Sequence, residues 1–567
     1  MMVVQYHKKG IFVKKTDCIM SLKNTFIFII LLFNSLLSNS QTSSKQPKLV
    51  VGIVVDQMCY EYLYRFYDKY SEGGFKKLMN EGTNCRTTHY NYVPTYTGPG
   101  HASIYTGTTP ANHGIVANDW YDRKTNKDVN CVQDDYVKKV GDESKNGSFS
   151  PSRLKVNTIT DQLKLERSAA KVISLSIKNR GAILPGGHLS DGSYWFDSKS
   201  GSFITSTYYT NELPSWVKQF NTKRLPERLM KQTWNTLYPI DQYVESDIDN
   251  SSYEHLLPGK TTPTFPYELP KMMTSENQFD LFTHTPFANN YLTDFAIEAI
   301  KNENLGNGIH PDFLCISFSS TDIIGHAFGP QSKEIQDTYL RLDKDLERLL
   351  NELDQSVGKD NYTLFLTADH AVVPVPQLLI DKKLAGGYLF LSEKLELLKN
   401  EVASKFGEQL ILAEENLNIY LDKAKIETLK LNYSEVCQFI KNRVTEWEGV
   451  KTVYLASELQ IGSGNKWFDM VRNGYHYKES GDILFILESG YLAKSKDTEK
   501  ARKGTSHGSP YAYDTQVPLL WYGCGIPKKE IFRVIEITDI APTVAHLLNI
   551  SFSHVTTGKP IIEILEK

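Results

Sequence analysis

The chain has 567 residues, 41% hydrophobic and 23% charged, which suits one large α/β domain with insertions or several smaller ones. A net charge of −3 offers no basic surplus for a nucleic-acid backbone, and there is no internal repeat or low-complexity tract. Seven cysteines without a CxxC pair exclude a disulfide scaffold and thiolate zinc, so any metal must be held by histidines and carboxylates.

From Met20 the stretch MSLKNTFIFIILLFNSLLSNSQ has a Lys23 n-region, an apolar core from Phe26 to Phe33 and small residues before Gln41. This is the pattern of a secretory signal peptide, with Ser38 and Ser40 before the cut. Asn34 interrupts the run well short of the roughly 20 apolar residues a membrane span needs, and no cysteine follows the cut to carry a lipid. Residues 1–19 read as an upstream mis-start. The expectation is a leader over 1–40, cleavage near Ser40/Gln41, and an exported protein, periplasmic or secreted, without a stable membrane anchor.

Beyond the leader, nearly continuous apolar runs at 48–55, 171–177, 312–318, 362–368, 482–488 and 517–523 predict buried parallel strands. A helical pattern from Tyr60 to Gly82 is broken by a glycine pair. Another over 332–353 puts Ile335, Tyr339, Leu342, Leu346, Leu349, Leu350 and Leu353 on one stripe behind a Ser332 N-cap. The alternation predicts an α/β fold: a mostly parallel central sheet with helices on both faces. Segments 185–305 and 375–480 are richer in Tyr, Pro, Lys and Asn. They read as insertions or a cap on a single domain over 41–567, not as core strands.

Several of these strands end in residues with chemistry, where open α/β sheets form their sites. The first ends at Asp56; the run from 312 leads to Asp322 with His326 one helical turn later; the run from 362 ends in Asp369 and His370; His507 sits in a Gly/Ser loop before the last strand. An aspartate at a strand end is ordinarily an N-cap and a loop histidine ordinarily only that. Three of each at four strand-associated loops suit zinc or manganese in a hydrolytic centre, dividing into three ligands for each of two metals. Between the first two βα units lies VPTYTGPGHASIYTG (93–107), a Thr/Gly-rich loop running into a helix. A helix N-terminus favours an anion, and metal coordination can activate a threonine hydroxyl, so this stretch reads as a nucleophile loop.

The ordered segments GIVVDQM, VPTYTGPGHASIYTGTTPANHGIVAN, SIKNRGAI, STDIIGHAFGP, TADHA and GTSHGSPYAYD resemble the alkaline phosphatase superfamily. More closely, they are similar to exported, two-zinc, phosphate-irrepressible alkaline phosphatases with a threonine nucleophile. The resemblance runs from about Lys48 to the C-terminal EITDIAPTVAHLLNI and implies an alkaline phosphatase-like fold. It further implies Thr97 as nucleophile, and Asp56, Asp369 and His370 on the zinc that holds its oxygen. Asp322, His326 and His507 would bind a second zinc at the leaving group, while Asn118, Lys178 and Arg180 would contact the phosphate. The implied reaction is hydrolysis of small-molecule phosphate monoesters of broad range through a phosphothreonine. Thr95, Ser103, His101, His113 and His188 read as structural. The oligomeric state stays open, a monomer included.

The runner-up is a nucleotide pyrophosphatase/phosphodiesterase, which resembles this chain in its ligands, threonine and asparagine. Lys178 and Arg180 favour the monoester, whose dianion carries more charge than a diester. A sulfatase would need a convertible Cys or Ser and an arginine that TGPGH lacks. A non-catalytic metal- or phosphate-binding protein would be expected to lack a ligand or the nucleophile.

Overall fold

The apolar run at 48–55 forms β1 (Leu49–Val55), buried at every residue as a strand covered on both faces must be. The computed structural model describes residues 46–141, 149–462 and 464–566, with Met2 and Gln5 besides. The expected leader and its cleavage site lie outside the described residues. The chain divides into Met1–Lys45 and Gln46–Lys567, and every element named here belongs to the second unit.

In chain order the elements that build the site are β1, β2 (Thr83–His89), α1 (Thr97–Thr106), β3 (Val172–Ser176), α2 (Asn179–Gly186), β4 (Gly192–Asp197) and β5 (Ser202–Ser206). There follow β6 (Asp312–Phe318), α3 (Ser320–Phe328), α4 (Lys333–Leu353), β7 (Tyr362–Thr367), β8 (Leu519–Gly523) and β9 (Lys529–Glu536). Among the described residues the strands of this set belong to an eleven-stranded mixed sheet whose centre, β7-β1-β6-β3-β4, is parallel. The α/β expectation holds. The stripe over 332–353 is α4, with Ser332 capping it through the Ile335 N–H. The pattern over 60–82 breaks into Tyr62–Arg65, Tyr67–Lys69 and Phe75–Glu81. Among the described residues, no helix is long and apolar enough to cross a membrane.

Three strand expectations need correction. β8 lies in the main sheet but runs antiparallel to β7. The run at 482–488 forms Ile483–Leu487 in a separate four-stranded antiparallel sheet with Ile411–Glu415, Asn418–Leu421 and Val450–Leu455. It reads as a core strand because both its faces are buried, though in different places. Ile483, Phe485 and Leu487 pack into this small sheet's own core, whereas Leu484 and Ile486 pack with Val93 and Val471. Finally, 185–305 is not wholly an insertion: β4 pairs parallel with β3, β5 antiparallel with β4, and the helix Phe287–Asn302 contributes to the main core. The segment 375–480 does carry most of the second sheet and its helices.

Candidate active site

Four strand ends converge at the carboxyl edge of the parallel block. Register sets Val55 opposite Phe318, Val54 opposite Thr367, and Ser317 opposite Ser176. The residues just beyond must therefore lie side by side: Asp56 after β1, Lys178 and Arg180 after β3, Asp322 in the first turn of α3, and Asp369 with His370 after β7. His326 follows Asp322 on α3, and His507 enters on the loop before β8.

Two ligand sets form there. One ligand atom from each of Asp56, Asp369 and His370 lies within 4.8 Å of the others, and the same is true of Asp322, His370 and His507. The first is the expected trio. In the second, His370 stands where His326 was expected; His326 joins through Asp322, its Nε2 being 3.1 Å from Oδ1. His370 thus faces both sets, and its ring stacks on that of His507 at 3.4 Å.

The imidazoles are oriented by backbone carbonyls. Nδ1 of His326 faces Thr505 O at 2.8 Å, Nδ1 of His370 faces Ala371 O at 3.0 Å, and Nδ1 of His507 faces Thr95 O at 2.7 Å. A carbonyl only accepts, so each Nδ1 carries a proton; His370 and His507 then present an Nε2 lone pair to the site, whereas in His326 burial is outweighed by Asp322, which raises its pKa. Burial holds His370 neutral, with its pKa pushed down to about 3, and drives His507 well below its usual value. Burial raises Asp56 and Asp369, each further disfavoured by neighbouring carboxylate charge. For Asp322 burial acts the same way, but His326 and Lys178 outweigh it and keep the group ionised. Asp56 Oδ1 and Asp369 Oδ2 are buried without a hydrogen-bond partner. Orphaned carboxylate oxygens beside presented imidazole lone pairs are a donor set that fits divalent cations of the zinc or manganese kind.

Thr97 is the first residue of α1, with its Oγ1 3.5 Å from His370 Nε2. Gly98 N–H donates to Asn118 Oδ1 at 2.7 Å, which fixes that amide and leaves its NH2 group unengaged by the bond. Gly100 allows α1 to lie against the end of β7, since a Cβ there would strike the Asp369 carbonyl. Arg180 has a buried Nε without a partner, and its guanidinium makes no hydrogen bond or ion pair among the described residues. Lys178 differs from expectation: its Nζ donates to Asp56 Oδ2 at 2.7 Å and to Asp322 Oδ2 at 2.5 Å, bridging the two ligand sets.

His101, read as structural, touches the site from behind. Its Nδ1 lies 2.9 Å from Thr97 O and 3.3 Å from Asp369 Oδ2, and its Nε2 lies 2.8 Å from Ser317 Oγ. His113 accepts from Ile115 N–H and pairs with Ser103, and His188 pairs with Asp161, all as structural residues. Thr95 supplies the carbonyl that orients His507. Sequence reasoning missed Gln57. Its N–H donates to Asp369 Oδ1 at 3.1 Å and its side chain to Asp322 Oδ1 at 2.5 Å.

A family model described as type I phosphodiesterase / nucleotide pyrophosphatase matches residues 50–510. The chain is 44% identical to the calcium-transporting ATPase of Myroides odoratus, over 97% of this chain and 100% of that one. It is 42% identical to the alkaline phosphatase PafA of Elizabethkingia meningoseptica, over 94% and 98%. The crystal structure of wild-type PafA superposes with a TM-score of 0.87, covering 92% of this chain and 100% of that chain.

Proposed function

The chain belongs to the type I phosphodiesterase / nucleotide pyrophosphatase family, within the alkaline phosphatase superfamily, and on that premise we propose that it is an alkaline phosphatase releasing inorganic phosphate from small-molecule phosphate monoesters. The observation that carries this reading is Arg180. An arginine with an orphaned buried Nε, beside a second cation and an amide, is a receptor awaiting an anion. A monoester dianion, with three nonbridging oxygens, answers that charge better than a diester monoanion.

Asp56, Asp369 and His370 would hold one divalent cation, and Asp322, His326 and His507 a second; two zinc ions suit this donor set. When bound, such cations supply Lewis acidity to the phosphoryl group and lower the pKa of hydroxyls and water. The chain's own residues do the rest. Thr97, at the positive end of α1, attacks phosphorus in line while the ester P–O bond breaks; the bond's electron pair leaves with the alcohol oxygen, which takes up the proton given up by the Thr97 hydroxyl. Water then attacks the phosphothreonine, freeing phosphate and restoring the Thr97 hydroxyl. The Asn118 amide and Arg180 fork hold nonbridging oxygens in both steps. Lys178 joins them once its carboxylate partners are engaged elsewhere.

ATP hydrolysis, which the name of the Myroides protein states for that protein, moves a terminal phosphoryl dianion in the same way, so ATP belongs in the assay. The signal-like leader supports export, to be checked by N-terminal sequencing near Gln41. The deciding experiment compares kcat/KM for nitrophenyl phosphate and its methyl diester in zinc-supplied protein, with Thr97→Ala as control. A monoester preference lost in the variant is expected; a diester preference would favour the phosphodiesterase reading.

A further inference from the structure

A cavity of about 250 Å³ opens where the small antiparallel sheet meets the core. Two of its walls belong to the catalytic neighbourhood: Tyr96, which precedes Thr97, and His507, whose ring meets the Tyr96 ring edge-on at 5.5 Å. Other lining residues come from the second sheet and the strand after it, Leu484, Ile486 and Tyr491 among them. The lining contains no lysine or arginine, but it does contain two carboxyl groups, Glu414 and Asp514. Asp514 is buried, and its Oδ1 has no hydrogen-bond partner. Glu414 accepts from Leu417 N–H, and Asp514 accepts from the Gly508 and Ser509 N–H groups through its other oxygen, but no cationic side chain in the lining answers either. Together with apolar and aromatic walls and a shared border with the phosphate site, this makes a definite chemical demand. The phosphoryl group is served by Arg180 and Asn118, and a second anionic group would be repelled here.

We propose that this cavity receives the organic group of the phosphate ester and selects aryl or alkyl groups that end in an amine over those that end in a carboxylate. The inference rests on the monoesterase reading and names the substrate class of the same site. An aromatic ring packs against the apolar and tyrosine side chains of the lining, and an ammonium it carries meets Glu414 of the small sheet or Asp514, which is held by the loop after His507. Burial pushes the pKa of both carboxyl groups up to about 7, so an ammonium draws them into the ionised form, whereas a carboxylate placed there would be left without a counter-charge in an apolar setting.

The test uses zinc-supplied full-length protein and three monoesters: 4-(aminomethyl)phenyl phosphate, 4-carboxyphenyl phosphate and methyl phosphate. Wild type is expected to favour the amine over the carboxylate by about tenfold or more in kcat/KM. Ala493→Phe, which fills the cavity from a partly exposed wall position, should reduce the ratio of aryl to methyl phosphate kcat/KM by about tenfold. A general folding defect would lower both substrates together and leave that ratio alone. Glu414→Gln should shrink the amine-over-carboxylate preference. Calorimetry with 4-hydroxybenzylamine gives a readout free of turnover: binding in wild type, weakened in Ala493→Phe. Equal treatment of amine and carboxylate esters, or an aryl-to-methyl ratio unmoved by Ala493→Phe, would overturn the cavity assignment while leaving the phosphatase intact. Absence of turnover on all three esters would instead sink the phosphatase reading, and with it the ester's place in the cavity.

Discussion

Gln57 donates its side-chain amide to Asp322 Oδ1 at 2.5 Å while its own backbone N–H donates to Asp369 Oδ1, so one residue ties a carboxylate of each ligand set. It does so with φ at +67°, a left-handed conformation that costs a non-glycine residue about 1 kcal/mol or more. Gly325 makes room for it, because a Cβ there would collide with the Gln57 amide oxygen. Gln57→Ala should weaken metal binding about 10- to 100-fold, the usual effect of losing a partner that orients a ligand. Chelator-competition titration, followed by bound zinc and by the metal-dependent rise in Tm, reads this directly. Gln57→Gly, which also removes the amide but relieves the backbone, should match the alanine variant in affinity. Wild-type affinity in both would show that the amide does not hold the ligands.

Thr97 begins α1 with its hydroxyl toward His370. On the proposed mechanism, replacing it by alanine should lower kcat by about 10⁴-fold or more, since the attacking hydroxyl is gone. Thr97→Ser retains a nucleophile and should retain an acid-stable phosphoenzyme. Acid quench followed by intact-mass and peptide analysis checks both statements. Stoichiometric phosphate on Thr95 or Ser103 in the wild type would show that the wrong hydroxyl has been assigned.

Among the described residues Arg180 has no carboxylate partner, so its loss should register on substrate rather than on stability. Arg180→Ala should reduce monoester kcat/KM by about 10²- to 10³-fold, with a smaller loss on the matched diester. Lysine should rescue poorly, because a point charge cannot fork two oxygens. A variant with an unchanged monoester-to-diester ratio would remove Arg180 from phosphate recognition.

What the sequence makes legible here follows from range. Asp56, Asp322, Asp369 and His370 stand at the ends of strands that are themselves visible as apolar runs, and parallel register then brings them together. Gln57 and His101 carry no such signal. Each acts through partners hundreds of residues away in sequence, and a glutamine after a strand aspartate resembles any loop residue. The strand Ile483–Leu487 misleads for a related reason, since alternating residues buried in two separate cores look the same as residues buried in one. Strands β4 and β5 are hidden by their serines and by the turn between them. The bridge from Lys178 to Asp56 and Asp322 is likewise a tertiary fact: the motif announces a cation past a strand and is silent about which carboxylates it meets first.

Away from the metal ligands, Glu254 and Glu334 are buried carboxyl groups, each with an Oε2 that lacks a hydrogen-bond partner. Burial pushes both pKa values up; the Glu334 charge adds to the effect on Glu254, and Asp249 opposes ionisation of both, against relief from the Tyr267 hydroxyl at Glu334 and from Lys333 near Glu254. The native state therefore keeps protons that the unfolded chain has lost above its ordinary glutamate pKa of about 4.3. Stability conferred by these neutral groups is fully present below that pH and is lost as pH rises through the raised native values. Glu334→Gln keeps an oxygen to accept from Tyr267 but removes the titration. Its Tm should fall less than wild type's between pH 5 and pH 9, and at the alkaline end it should melt about 2 °C higher. Scanning calorimetry across that range decides the matter: parallel curves for the two proteins would mean that the pair ionises without cost in the folded state.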